Sequence, residues 1–318
     1  MIKIMADSTC DLPEDIVKKY NIGIAPLTIT IEGKEYRDRI DLTPDEFYHI
    51  LQTLEESPTT SMPSPSEYLQ IINGAIEEGH TQILCICMSS GTSGSYQSAA
   101  LAKEYFYEKF PDSKIEIHVV DSKCMSHGSG YLILKAAMLR DEGFTFKDLV
   151  AFTEVYKKNI KHFLSVDDLD NLIRSGRLTN ASAFIGKILK IKPIMSMRKG
   201  KGAIVAKERG SKKVLNHYVK EFNIRNDEEI TDFIIIGYTS NRAIAEILKQ
   251  KISQETNFKG EIYIMQMGMA VGTHVGSGGV SMYFVEKGHR KDGLLVNELN
   301  ALIEKKNEMV EKLKNRNK

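Results

Sequence analysis

Short apolar runs that end in small hydroxylated residues recur along this chain, and helical patterns follow several of them. Ile2 to Ala6 ends in Asp7-Ser8-Thr9, and Ile83 to Met88 ends in Ser89-Ser90-Gly91-Thr92-Ser93. Ile117 to Val120 ends in Asp121-Ser122, and Phe233 to Tyr238 ends in Thr239-Ser240. Helical candidates are Ser66 to Glu78, Ser95 to Lys109, Gly130 to Glu142 and Asn241 to Glu255. Continuous apolar strands alternating with amphipathic helices imply a parallel sheet covered on both faces. From about Asp148 the alternation breaks down. Phe163 to Val166 reads as a strand, followed by a helical stretch ending in Arg174-Ser175-Gly176-Arg177. Pro193 to Met197 and Ala203 to Ala206, joined across Arg198 to Gly202, read as a hairpin. The expected fold class is α/β with two α/β domains. Residues 1–150 form an N-terminal parallel-sheet, Rossmann-like domain, and residues 151–285 a C-terminal mixed-sheet domain.

Composition excludes several classes. The chain has 318 residues, with 43 basic and 42 acidic side chains. That near-neutral balance argues against a general nucleic-acid binder, which needs a concentrated basic face. The basic run around the hairpin (Arg198, Lys199, Lys201, Lys207, Arg209) has no interleaved aromatic residues and suits a solvated sheet edge. Cys10, Cys85, Cys87 and Cys124 are too scattered for a disulfide framework. The opening MIKIMADSTCD turns polar too early for a signal peptide, so the expected location is the cytoplasm. Ile262 to Val285 carries no Asp, Glu, Lys or Arg, yet its glycines, with Gln266, Thr273 and His274, make it a poor membrane span. The histidines show no ligand spacing, so no metal is expected.

In an open parallel sheet, ligands bind beyond the carboxyl ends of the strands. Helix capping accounts for Thr239-Ser240 and for much of Asp7-Ser8-Thr9. It accounts less well for Ser89, Ser90, Thr92, Ser93 and Ser95 around two glycines, because one cap needs one side chain. Such a loop at a helix start suits an anion, and without a lysine after Gly94 it is not a P-loop. Asp7-Ser8-Thr9-Cys10-Asp11 has neither a nearby histidine nor a nucleophile elbow, which favours a structural turn. Cys85 and Cys87 read as small core hydrophobes. His274 stands in the charge-free segment between Gly272 and Gly276, and serves equally well as a core histidine or a ligand contact.

These residues also carry a resemblance. Asp7 to Leu12, Thr59-Thr60-Ser61-Met62-Pro63-Ser64, Ser89 to Ala99, Asp121-Ser122, Leu169 to Leu178, Lys192-Pro193-Ile194 and His274 to Gly278 keep the order and spacing of the DegV family. Three positions depart from its usual pattern: Thr92 and Ser95 around Ser93-Gly94, Ser175 before Gly176-Arg177, and Ser277 in place of a proline. The resemblance implies a non-catalytic carrier with one long-chain fatty acid buried between its domains. It places the carboxylate at Thr60, Ser61 and Ser93, with His274 close by. It further implies a separate fatty-acid kinase that brings ATP and Mg2+ and makes an acyl phosphate for phospholipid synthesis, with an acyltransferase as a further partner. The carrier itself needs no cofactor. Arg174 and Arg177 become candidates for docking the kinase or neutralising phosphate; a helix C-terminal charge pair explains them nearly as well. The alternative is a free-standing lipid-ester hydrolase using Ser93 or Ser8 with His274. It would need a base on the serine and a carboxylate orienting that base.

The stretch 286–318 outruns the resemblance. Leu295, Leu299, Leu302, Met309 and Leu313 fall on helical steps opposite a Glu- and Lys-rich face, so a helical extension docked on the protein's own surface is expected.

Overall fold

The computed structural model describes residues 1–167, 169–179, 191–288 and 312. Its first half runs β1 (Ile2–Asp7), a 3-10 turn (Ser8–Cys10), α1 (Glu14–Lys19), β2 (Ile22–Ala25), β3 (Thr28–Ile31), β4 (Lys34–Arg37) and α2 (Pro44–Leu51). It continues through β5 (Thr59–Ser61), α3 (Pro65–Glu77), β6 (Gln82–Cys87), α4 (Ser95–Lys109), β7 (Glu116–Asp121), α5 (His127–Asp141) and α6 (Phe146–Tyr156). The second half runs β8 (Ile160–Ser165), α7 (Asp170–Arg174), β9 (Ile191–Arg198), β10 (Lys201–Arg209) and α8 (Ser211–Arg225). β11 (Phe233–Tyr238), α9 (Arg242–Glu255), β12 (Glu261–Gln266), α10 (Met269–Val275) and β13 (Val280–Val285) complete it.

Three sheets form. β2-β1-β6-β7 is parallel throughout. β10-β9-β8-β13-β11-β12 is mixed, with only β11 and β12 parallel. A small antiparallel sheet, β4-β3-β5, lies apart. The α/β class with one parallel and one mixed sheet is as the strand patterns indicated. Local chemistry sets the helix starts: Ser64 caps α3 in a reciprocal box with Glu67, and Asn241 caps α9.

α5 lies between the two large sheets and is buried along nearly its whole length. One core joins Ile4 and Leu84 of the parallel sheet, Leu132 and Ala136 of α5, and Ile235 and Tyr283 of the mixed sheet. The halves therefore share a core, and residue 150 falls within α6, whose Leu149 and Phe152 belong to it. A second core lies on the far face of the mixed sheet, where Val280, Met282 and Phe284 meet α8 and α9. β13 is thus covered on both faces, which explains why the segment around it carries no charge.

The hairpin joins β9 to β10 through Lys199-Gly200, both with positive φ, a two-residue turn whose twist matches the strands. Its tip touches the hydroxyl-rich loop: a Cβ on Gly91 would sit 2.5 Å from the Gly200 carbonyl oxygen, which accepts from Ser89 Oγ at 2.6 Å. The apolar stripe from Leu295 to Leu313 lies outside the described residues. Of that tail, Lys312 is described, and its ammonium pairs with Asp148 of α6.

Candidate functional site

A cavity of about 230 Å³ lies between the carboxyl-end loops of the parallel sheet and the facing side of the mixed sheet. Thr9, Met88 and Ser126 bound it from one side, and Leu164, Met195 and Tyr283 from the other. Its walls are mostly apolar. Met62, Met88, Met125, Met195, Met197 and Met267 all reach it. Methionine adapts its shape to what it packs against, which suits a long, irregularly bent apolar guest. None of these methionines stood out in sequence, because each lies on a different element. The available signal was compositional: 13 methionines and no tryptophan.

The strand-end hydroxyls divide into structural and available groups. Asp7 accepts from the Thr9 amide at 3.2 Å and from the Met88 amide at 2.8 Å, tying the end of β1 to the end of β6. Ser89 is spent on Gly200, Ser90 pairs with Asp121, and Thr92 donates to the Ser89 carbonyl at 2.9 Å. Ser93 reaches the cavity wall; its Oγ accepts from the Ser95 amide at 3.2 Å and shares a hydrogen with Ser95 Oγ at 3.0 Å. Ser93 sits just before α4, so the neighbourhood also has the positive end of that helix.

His274, near the end of α10, faces Thr60 of β5: Nε2 and Thr60 Oγ1 are 2.8 Å apart. Burial, and secondarily the Arg177 guanidinium, pushes the His274 pKa down to about 4. The imidazole is therefore neutral at pH 7, with one nitrogen donating and the other accepting. Thr60, Arg177 and His274 line the cavity and also an outer cleft of about 200 Å³, where Arg174, Asn171 and Ser57 join them. These three residues form the wall between an apolar interior and a polar mouth.

The structure thus brings Thr60, Ser93, His274 and Arg177 to one cavity. It does not bring Ser61 there: Ser61 is exposed, paired with Thr28 across the small sheet, and is absent from the cavity wall. Period-two alternation along β5 accounts for this, since neighbouring side chains point to opposite faces. Arg174 reaches the outer cleft only, donating to Asn171 Oδ1 at 3.2 Å. A serine-hydrolase relay is not assembled among the described residues. Ser8 Oγ donates to Asp38, Ser93 pairs with Ser95, and His274 pairs with Thr60 and hydrogen-bonds to no carboxylate. Among the described residues, no group of three or more His, Cys, Asp or Glu could hold a metal ion, and no helix is long and apolar enough to cross a membrane.

The sequence profile of the DegV family, described as one of uncharacterised proteins, matches residues 1–287. The chain belongs to the DegV family. A DegV domain-containing protein of Clostridium acetobutylicum is 35% identical over 289 residues, spanning 90% of this chain and 99% of the relative. A Thermus thermophilus DegV protein, whose structure is described as showing fatty acid binding, matches with a TM-score of 0.81 at 29% identity, covering 90% of this chain and 99% of that one. A stearic-acid-binding protein of Eubacterium ventriosum matches with a TM-score of 0.80 at 26% identity, again covering 90% and 99%. These alignments leave the stretch beyond residue 287 outside the DegV match.

Proposed function

We propose that this DegV protein binds one long-chain fatty acid in the methionine-lined cavity and presents its carboxylate to a separate fatty-acid kinase. The observation that carries this reading is the shared wall: Thr60, Arg177 and His274 face both the apolar cavity and the outer cleft. A carboxylate placed there keeps its chain dry and its oxygens reachable. Burying a lone carboxylate is costly unless several donors meet it. Ser93, Thr60 and the neutral His274 supply them, with Arg177 as the nearby cation. The tail supplies most of the affinity, at about 0.8 kcal/mol per buried CH2. The fatty-acid binding described for the Thermus and Eubacterium relatives supports the ligand class.

In the reaction, a carboxylate oxygen attacks the γ-phosphorus of ATP held by the kinase with Mg2+. The bond from that phosphorus to the β,γ-bridging oxygen breaks, ADP leaves, and a mixed acyl-phosphate anhydride remains. This chain contributes no catalytic group to that step. It positions the acid, and Arg174 and Arg177 at the mouth offset the arriving negative charge. The anhydride would then be shielded from water until an acyltransferase takes it for phospholipid synthesis. An ATP-dependent partner places the protein in the cytoplasm.

Mass spectrometry of lipid extracted from protein expressed in bacteria tests the first part, with stoichiometric fatty acid expected. Adding a purified bacterial fatty-acid kinase and ATP tests the second, with hydroxylamine-trappable acyl phosphate expected. Ester turnover by the protein alone, without co-purifying acid, would overturn the proposal in favour of a hydrolase.

A further inference from the structure

Function has so far left unused the motif Asp7-Ser8-Thr9-Cys10-Asp11 and the buried Asp38. Asp11 Oδ2 accepts from Ser126 Oγ at 2.6 Å, and its Oδ1 accepts from the Gly268 amide at 2.8 Å. Asp38 Oδ2 accepts from Ser8 Oγ at 2.7 Å, and its Oδ1 accepts from the Met269 amide at 3.2 Å. Both carboxylates are about 1% exposed. Each is held by a serine of the first half and spends its other oxygen on the first amides of α10. Gly268 is required there: a Cβ would lie 2.9 Å from Asp11 Oδ1. From the same side, Tyr48 Oη donates to the Met267 carbonyl at 3.1 Å. α10 is a cavity wall through Ala270, Val271 and Val275, and it carries His274 at its other end.

We propose that Asp11 and Asp38 are positioning residues, a paired carboxylate clamp that fixes α10 and thereby sets His274 against Thr60 at the head-group end of the cavity. The proposal deepens the fatty-acid reading and rests on it for its ligand readout. α10 has only seven residues and cannot hold itself in place by its own hydrogen bonds. Its setting must come from outside, and the clamp supplies two charge-assisted hydrogen bonds at its start.

The clamp is held under electrostatic strain. Burial is the main cause that raises Asp11 to about 7 and Asp38 to about 6, with Asp38 adding repulsion at Asp11. A carboxyl raised in the folded state contributes stability below its unfolded pKa of 3.8, and that contribution is lost as pH rises through 6 to 7. The ionised clamp therefore costs stability at neutral pH. The charged and titratable groups around it are Arg39 beside Asp38, Asp7 and Cys10 on the β1 turn, Tyr48 of α2, His127 of α5 and Tyr283 of β13. Burial keeps Cys10 and both tyrosines protonated and His127 neutral between pH 5.5 and 8. Asp7, also raised by burial, binds the Thr9 and Met88 amides and makes no bond to α10.

Asp38→Asn keeps an acceptor for the Met269 amide and removes the charge. Displacement of a fluorescent long-chain fatty acid should show three- to ten-fold weaker binding than wild type at pH 7.5. The difference should close at pH 5.5, where the wild-type carboxylates are protonated. The melting temperature of the variant at pH 7.5 should equal or exceed that of wild type, opposite in sign to the loss of binding. The nitrogen-15 resonances of His274, read without ligand, should shift in Asp38→Asn and in Asp11→Asn. A ratio of affinities that is flat with pH, or His274 resonances that match wild type, overturns the clamp. The ligand-free His274 signal keeps the test separate from the fatty-acid reading, which fails instead if wild type does not bind the probe.

Discussion

Removing the lipid should destabilise this protein by an amount the cavity itself sets. Apolar cavities of this kind stay dry, so water does not restore the missing contacts. Core voids cost about 24 cal/mol per Å³, which for about 230 Å³ gives on the order of 5 kcal/mol. That is comparable with the whole stability of an ordinary domain. The methionines that line the walls will swing inward and recover part of it, so a loss of about 2–5 kcal/mol is expected. At about 2–4 °C per kcal/mol, the melting temperature should fall by roughly 5–15 °C. The assay is calorimetry on three samples: protein as purified, protein stripped over a lipophilic resin, and stripped protein reloaded with a long-chain fatty acid. Reloading should restore the lost degrees, and a short-chain acid with the same carboxylate should not. If stripped and loaded protein melt within about 2 °C of each other, the cavity is not held open for a guest and the reasoning fails.

Ser93→Ala should weaken fatty-acid retention by roughly ten- to a hundred-fold, the equivalent of one hydrogen bond to a charged group at about 1.5–3 kcal/mol; unchanged displacement of a fluorescent fatty acid would rule out a carboxylate at this hydroxyl. His274→Gln should nearly abolish kinase-dependent acyl-phosphate formation while the protein stays folded. Because the His274 pKa is depressed to about 4, its stabilising contribution is present above 6.5 and lost as pH falls towards 4, so the melting-temperature advantage of wild type over the variant should shrink across that window. Arg174→Ala should leave the co-purifying fatty acid stoichiometric and slow phosphorylation by the kinase, since Arg174 lines the outer cleft alone; loss of bound lipid would place it in the binding site instead.

The strand and helix pattern was readable because it is local. α4 occupies Ser95–Lys109 as expected, α3 and α9 lie within one residue of their expected ends, and only α5 starts earlier, at His127 rather than Gly130. The extra turn of α5 was not readable, because it depends on close approach between elements. A Cβ on Gly128 would lie 2.0 Å from His162 Nε2, a contact made across the interface between the halves. The same cause hid the shared core, since the covering of α5 by both sheets follows from tertiary placement and not from periodicity. Ser61 shows the limit from the other direction. It stands beside Thr60 in the same motif, and only the pleat of β5 decides which of the two faces the cavity.

The motif around Asp7 illustrates how a structural reading and a functional one can meet. The sequence argued for a turn because no nucleophile partner was nearby, and a turn is what forms, with Asp7 capping Ser8–Cys10. Yet Asp11, the last residue of that motif, bonds to Gly268, 257 positions further along the chain. No spacing rule reaches that far. What sequence could have offered is the chemistry at each end: acidic residues after a buried strand, and a charge-free segment whose amides begin a short helix. A helix start without its own side-chain cap, as at Gly268, needs acceptors from elsewhere in the fold. A search for such uncapped starts beside buried carboxylates would have linked Asp11 and Asp38 to α10 before any coordinates were known.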